Sequence, residues 1–284
     1  MFEKKNLRQW SNSYWNQINR NLGLIKIQEQ EKLRKTSIAV FGLGGLGGPL
    51  VEQLIRIGCE NLKICDNERY EESNLNRQIC TREDLGYYKV EHIEKLAMQI
   101  NPEVKIQKYY NVNEENIYNI LKNTNIASLT LDDPIISILI SRACKKNKIP
   151  MIEAWAIPYI CTWWFNQESI DYETCYGLKT KDMTIKQMIN SKKTSSTIKK
   201  NLLSKLLQFP GIKDIYNREE GTVDNMISGK LTSRSLSPIV RINASFLAFD
   251  IIYAGILKIK QKVLAPNING YDYLRMKPIR FEFK

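Results

Sequence analysis

The stretch Ser37-Ile-Ala-Val-Phe-Gly-Leu-Gly-Gly-Leu-Gly47 decides the fold of this chain. Its first five residues are mostly apolar and predict a short buried strand, and Pro49 with the apolar residues after it predicts a helix. Four glycines stand between the two elements: Gly42, Gly44, Gly45 and Gly47. Because glycine lets backbone N–H groups approach a phosphate closely at a helix N-terminus, the stretch predicts a nucleotide-binding turn.

A second block, Asp66-Asn-Glu-Arg-Tyr-Glu-Glu-Ser-Asn-Leu-Asn-Arg-Gln78, indicates which nucleotide binds. Asp66 ends a predicted strand nineteen positions after Gly47, where its carboxylate can accept hydrogen bonds from ribose hydroxyls. The run Ser73 to Gln78 supplies one cation and three amides, and Lys89 follows shortly after. A dinucleotide oxidoreductase does not need this polar cluster near the phosphates, so the block favours a nucleoside triphosphate.

The glycine turn, the aspartate and the SNLNRQ run together resemble the adenylation domain of the ubiquitin-activating superfamily, in its ThiF/MoeB/HesA branch. The resemblance covers roughly Arg20 to Phe165 well and the C-terminal third loosely. It implies an α/β fold of Rossmann type, with a doubly wound, mostly parallel sheet and helices on both faces. It also implies an ATP-dependent adenylyltransferase that activates a carboxylate as acyl-AMP and releases pyrophosphate.

The resemblance assigns roles to individual side chains around the turn. Asp66 would bind the ribose, while Arg77 and Lys89 would bind the phosphates. Asn74 would contact phosphate or metal-bound water, and Gln78 belongs to the same nucleotide-binding set. A reaction of this kind requires positioning and charge neutralisation more than covalent chemistry by the protein.

Two further residues complete the implied site. Asp132 follows the predicted strand Ile126 to Leu131 and takes the place of the family's magnesium-binding aspartate. Arg20, in the polar lead-in, would reach the ATP phosphates of a partner subunit, with Arg8 and Arg34 as nearby alternatives. The implied cofactors are therefore ATP and Mg²⁺.

The order of predicted elements argues for a parallel sheet, because strands alternate with helices. We expect four segments: a helical lead-in over 1–36, the ATP-binding core over 37–178, a Lys/Ser-rich crossover or mobile insertion over 179–235, and a C-terminal helix and strand over 236–284. The run Tyr159 to Asn166 predicts one strand, with Trp163 and Trp164 on an exposed or interface face. Ile239 to Ile259 predicts a long helix, apolar on more than one face, which favours a homodimer.

Composition sets broader limits on the class of protein. The chain has 284 residues, 43% of them hydrophobic, and a net charge of +12. Because the lysines are spread along the chain, this charge leaves a nucleic-acid partner open without favouring one. The longest apolar run, Phe246 to Leu257, is interrupted by Asp250, so we expect no membrane span. The first ten residues lack a signal-like apolar stretch, and we expect a cytoplasmic protein.

Metal and thiol chemistry have few candidates. Many members of the resembled family hold a structural zinc with two CxxC pairs, but Leu178 stands at one cysteine position and residues 222–284 contain no cysteine. A tetrahedral sulfur site needs four thiolates, so we predict no zinc. Cys175 stands where relatives place functional thiols, and its role is left open. The single histidine, His92, is assigned no role.

The sequence does not decide which carboxylate is activated. The C-terminus of a ubiquitin-like sulfur carrier or of a peptide is the default, and a small-molecule or tRNA-base carboxylate is the alternative. Two hypotheses from other classes remain: an NAD(P)-dependent oxidoreductase, and an inactive module that binds an active partner.

Overall fold

A six-stranded sheet forms the centre of the computed structural model, which describes residues 10–284. Its strand order is β3-β2-β1-β4-β5-β7, and all neighbours are parallel except β5 and β7. The strands of this sheet are β1 (Ser37–Phe41), β2 (Asn61–Cys65), β3 (Lys105–Tyr109), β4 (Ile126–Leu129), β5 (Met151–Glu153) and β7 (Trp163–Phe165). A second, antiparallel sheet has the order β6-β8-β9, with β6 (Tyr159–Cys161), β8 (Asn267–Asp272) and β9 (Lys277–Glu282).

Twelve α-helices surround the sheets in the described part of the chain. The first six are α1 (Asn12–Ile18), α2 (Ile27–Lys35), α3 (Gly47–Arg56), α4 (Lys89–Ile100), α5 (Ile117–Leu121) and α6 (Pro134–Lys146). The others are α7 (Tyr172–Cys175), α8 (Ile185–Asn190), α9 (Lys192–Leu206), α10 (Ile212–Tyr216), α11 (Thr222–Ile227) and α12 (Ser237–Asp250), the last continued by a π-helix over Ile251–Ile256.

Both faces of the central sheet are covered, as the alternation along β1 shows. Ile38 and Val40 pack into a core formed with α3, α4 and α12. Ala39 and Phe41 point the other way, into a core formed with α5, α6, α7 and α9. Since successive strand residues point to opposite faces, an apolar strand such as β1 needs cover on both sides. The doubly wound α/β fold is therefore confirmed.

The parallel strands bring three chemical segments to one edge. Gly42 follows β1, Asp66 follows β2, and Asp132 lies three residues beyond β4. Because β1 lies between β2 and β4, the glycine turn lies between the two aspartates. The chain winds to opposite sides of β1, and ligands of such sheets bind in the crevice at this reversal.

The run Tyr159 to Asn166 differs from its prediction in two respects. It forms two short strands in different sheets, β6 and β7, rather than one. Trp163 and Trp164 are both 0% exposed, so their assignment to an exposed face is wrong. The Trp164 indole N–H donates to Asp250 at 2.9 Å, and the hydroxyl of Thr162, between the strands, donates to the same carboxylate at 2.6 Å.

The predicted long C-terminal helix is present over Ser237–Ile256, close to the predicted bounds of Ile239 to Ile259. Ser237–Ile256 is long and apolar enough to cross a membrane by length and composition alone. However, 56% of its most apolar window is buried within the protein, and Leu247 and Ile251 lie in the core beside α3. A core helix passes the same test, and burial accounts for this composition.

Candidate active site

The glycine turn is held in a conformation that larger residues cannot adopt. Gly42 has φ +92°, and a Cβ at Gly47 would lie 1.8 Å from the carbonyl oxygen of Gly42. The turn is tied to both neighbouring strands: the Leu43 N–H donates to Asp66 Oδ2 at 2.7 Å, and the Thr130 hydroxyl lies 2.8 Å from the Gly42 carbonyl. The sequence therefore builds a rigid, backbone-lined cradle where α3 begins.

Gly44 differs from these glycines because the protein leaves space beside it. A Cβ there would meet one described atom within 4 Å, Nε2 of Gln78 at 3.7 Å. Gln78 is buried, and its Oε1 has no hydrogen-bond partner in the described part of the chain. Since buried polar atoms are normally satisfied, an open glycine beside an unpaired amide oxygen fits a bound ligand.

Asp66 lies at the end of β2 as predicted, and it also supports the turn. Its Oδ2 accepts from Leu43 and its Oδ1 accepts from the N–H of Glu68 at 2.8 Å. Partial burial raises the pKa of this carboxyl group, while the Lys89 ammonium opposes that rise. Each carboxylate oxygen retains a lone pair that could accept from a ribose hydroxyl.

The Ser73 to Gln78 run folds as a tight turn whose hydrogen bonds fix the positions of Arg77 and Gln78. Asn74 is buried, its Oδ1 accepts from the Glu71 N–H at 3.2 Å, and its carbonyl accepts from the N–H groups of Arg77 and Gln78. The Arg77 guanidinium donates to the carbonyl of Ser73 at 2.9 Å. Asn74 thus organises this loop in addition to the ligand contacts that the resemblance implies.

Lys89 begins α4 and is the buried cation of the site, at 1% exposure. Its ammonium contacts the carboxylate of Glu68, and its backbone N–H donates to the Glu68 carbonyl at 3.0 Å. Sequence reasoning did not identify Glu68 as a site residue. The available signal was a second acid two positions after the strand-end aspartate.

Asp132 and Asp133, at the start of α6, differ in their contacts. The Asp133 carboxylate caps the helix by accepting from the N–H groups of Ile135 and Ile136 at 2.9 and 3.0 Å. Asp132 makes no hydrogen bond or ion pair within the described residues, although it lies on the surface of the crevice. The pKa of its carboxyl group is raised, first by desolvation and then by the charge of Glu68.

This environment fits a magnesium ion bound together with phosphates. Asp132 is an exposed carboxylate with no hydrogen bond or ion pair among the described residues, so its oxygens are available to a divalent cation. No group of three potential metal-binding side chains occurs among residues 10–284. Mg²⁺ is commonly held by one or two carboxylates plus substrate phosphates, so a single aspartate is sufficient here.

Arg20 lies near the C-terminal end of α3, whereas the glycine turn of its own chain lies at the N-terminal end of that helix. It is exposed in a short turn after α1, and the neighbouring Asn21 donates to the Ile57 carbonyl at 3.1 Å. Ile57 follows α3, whose ten residues span about 15 Å from the turn. Arg34 instead pairs with Glu60 at 2.9 Å, and Arg8 lies outside the described residues.

Cys175 and His92 each lie where their contacts suggest a structural role rather than a catalytic one. Cys175 is 1% exposed in the aromatic core, and burial raises the pKa of its thiol, which opposes a nucleophilic role. His92 lies 2.8 Å from Asp84 and packs edge-on against Tyr70, so it braces the loop before α4.

A parallel sheet with a glycine turn at its reversal point, two cations and strand-end aspartates is typical of a nucleotide-binding α/β protein. The ThiF family profile matches residues 16–284. The chain therefore belongs to the ThiF family.

Individual relatives agree over part of the chain. "Adenylyltransferase and sulfurtransferase MOCS3" of Drosophila virilis is 30% identical over 133 residues, which are 46% of this chain and 29% of that protein. "Adenylyltransferase and sulfurtransferase UBA4" of Scheffersomyces stipitis is 32% identical over 126 residues, 43% of this chain and 28% of that protein. The matched region thus spans about three tenths of these relatives' length.

Solved structures share the fold. Escherichia coli MccB with ATP superposes with a TM-score of 0.66 at 18% identity, over 96% of this chain and 72% of that chain. PaaA gives a TM-score of 0.67 at 17% identity, over 100% of this chain and 76% of that chain. At these identities the likeness is one of fold.

Proposed function

We propose that this protein is an ATP-dependent adenylyltransferase that activates the carboxyl terminus of a small protein or peptide as an acyl-adenylate. One arrangement carries the proposal: a glycine cradle flanked by Lys89 and Arg77 on one side and the unpaired Asp132 on the other. Relatives named adenylyltransferases and a structural neighbour solved with ATP support it. The neighbour MccB has also been solved with N-formylated MccA, which supports a polypeptide substrate.

The reaction would form a bond between a carboxylate oxygen and the α-phosphorus, and break the bond from that phosphorus to the bridging oxygen of pyrophosphate. The backbone N–H groups of the turn would hold the nucleotide, and Asp66 would orient the ribose. Arg77 and Lys89 would neutralise the charge that develops on the leaving pyrophosphate. Asp132 would hold Mg²⁺, which when bound supplies further charge neutralisation at the phosphates.

We further propose that the working unit is a homodimer. Arg20 cannot serve its own glycine turn from the far end of α3, so a second chain would have to supply the equivalent arginine. On α12, Ile242 and Phe249 are 37% and 57% exposed, and Tyr253 stacks on Phe249. An apolar stripe of this kind fits burial against a second copy. All six cysteines are free thiols, which suits a reducing compartment such as the cytoplasm.

The direct test is ATP–pyrophosphate exchange, screened against candidate carboxylates, with NAD as a competitor in nucleotide binding. Asp132→Ala should abolish exchange, because the metal loses its protein carboxylate. Asp133→Ala is the matched control: it should cost about 1 kcal/mol of stability through the lost helix cap and leave exchange measurable. Exchange retained in Asp132→Ala would overturn the metal assignment, and a protein that binds NAD but not ATP would overturn the function.

A further inference from the structure

The ion pair between Lys89 and Glu68 joins a buried side chain to an exposed one. The Lys89 side chain is 2% exposed and begins a helix, whereas the Glu68 side chain is 67% exposed. Within the described residues, Glu68 is the one ion-pair partner of this ammonium. Because the buried lysine cannot move away, a phosphate that binds Lys89 has to compete with the Glu68 carboxylate for this ammonium.

Glu68 also faces the other acids of the site. Its backbone N–H donates to Asp66 at 2.8 Å, and its negative charge helps to raise the pKa of Asp132. Two cations, Lys89 and Arg77, thus stand among three carboxylates. A metal-free triphosphate adds several negative charges to a site that is already short of positive charge, and where it takes Lys89 it leaves the Glu68 carboxylate without its cation.

We propose that Glu68 is a specificity-determining positioning residue that masks Lys89 in the empty protein and makes triphosphate binding depend on an accompanying Mg²⁺. Once it has lost Lys89, the Glu68 carboxylate needs another positive charge, and a divalent cation that accompanies the triphosphate can supply it. Free polyanions such as pyrophosphate or metal-free ATP bring no such cation, so they compete poorly with Glu68 for Lys89. This inference rests on the proposed ATP-binding function.

The test compares dissociation constants for ATP in excess MgCl₂ and in EDTA, measured by calorimetry on the full chain. Wild-type protein should bind MgATP much more tightly than metal-free ATP. Glu68→Gln removes the competing charge, so it should tighten metal-free ATP binding by about tenfold and narrow the ratio of the two constants. Glu68→Asp keeps the charge and should keep the dependence on Mg²⁺.

Glu72→Gln is the matched control, because Glu72 lies in the same loop but pairs with Arg82 on the surface, both side chains 79% exposed. It should change neither constant. An unchanged ratio in Glu68→Gln, or an equal loss of affinity under both conditions, would overturn the inference while ATP binding by wild-type protein stands. Failure of the wild-type chain to bind ATP under either condition would instead overturn the proposed function.

Discussion

Gly44 and Gly47 lie three residues apart and are glycines for different physical reasons. Gly47 is demanded by the fold, since a Cβ would overlap the Gly42 carbonyl at 1.8 Å. Gly44 faces space that the protein leaves open, with Gln78 Nε2 at 3.7 Å as its nearest described neighbour. Packing therefore explains the glycine at position 47, whereas a bound ligand explains the glycine at position 44.

Substitution by alanine should separate these roles. Gly44→Ala should leave the melting temperature close to that of wild-type protein, but the new methyl group should weaken MgATP binding by at least about tenfold because it occupies the phosphate approach. Gly47→Ala should fail to fold or melt far lower. Thermal unfolding and ATP titration of both variants check this, and full ATP affinity in Gly44→Ala would contradict it.

The motif residues of the site were predictable from the sequence because their chemistry is local. Asp66 and the glycines follow strands, and their positions depend on short-range geometry alone. Glu68 was not predictable in the same way. Whether its side chain meets Lys89 depends on how the loop over 66–88 folds back, and that path is set by contacts such as the 3.0 Å bond between the two backbones.

At the scale of elements, the error over β6 and β7 has a specific cause. A run of aromatic and β-branched residues looks like one continuous strand, and nothing in it marks Thr162 as the point where the chain changes sheet. Tryptophan also offers an indole N–H that suits an interface as well as a core. The partner of Trp164, Asp250, is 86 residues away in the sequence, and Glu153, the partner of Trp163, lies on another strand, so burial of the two tryptophans could not be predicted.

Glu153, at the end of β5, should make the stability of the fold depend on pH. Glu153 is buried, and its carboxylate accepts from Tyr176 at 2.5 Å, from Trp163 at 3.2 Å and from Trp155 at 3.3 Å. Burial nevertheless raises the pKa of this group to about 7. The hydrogen bonds from these three neutral side chains stabilise the charged form of Glu153 and oppose the rise in its pKa.

This raised pKa should make the folded protein less stable as pH rises from about 4.5 to about 7, and the loss should then persist at higher pH. The unfolded chain releases the proton near pH 4.5 and the folded chain near pH 7, so the stability contributed by the protonated group is lost as pH rises between these values. The total loss is roughly 3 kcal/mol. Glu153→Gln should remove this slope and raise the melting temperature above pH 7. An unchanged pH profile in denaturant unfolding would contradict the assignment.

At the scale of the molecule, the segment over 179–235 shows what composition cannot decide. Its lysines and serines left open a mobile insertion or a crossover. In the structure it folds as helices that pack on α6, and Phe209 enters the aromatic core beside Trp155. It returns to the active-site edge at Ser235, whose carbonyl accepts from Asn76 at 3.2 Å. A few apolar residues decide this path, and they are sparse in the sequence.

The shared-site dimer can be tested by complementation. Arg20→Ala and Asp132→Ala should each be inactive alone, with a loss of about 10²–10³ or more in rate. Mixed under conditions that exchange subunits, they should regain activity, because one of the two sites in the heterodimer then has both wild-type residues. Pyrophosphate exchange measures the recovery. Confirmed subunit exchange without recovery would contradict the shared site, and a monomer in light scattering would contradict the dimer.

If the proposed dimer shares its two sites, the separation of Arg20 from its own glycine turn by the length of α3 has a genetic consequence. A chain altered at both Arg20 and Asp132 would spoil both sites of any dimer that it forms with an unaltered chain, since each site would lack one of the two residues. When co-expressed in excess, such a chain would bind the unaltered subunits in inactive heterodimers. Defects at these two positions would therefore be recessive when separate and dominant when combined in one allele.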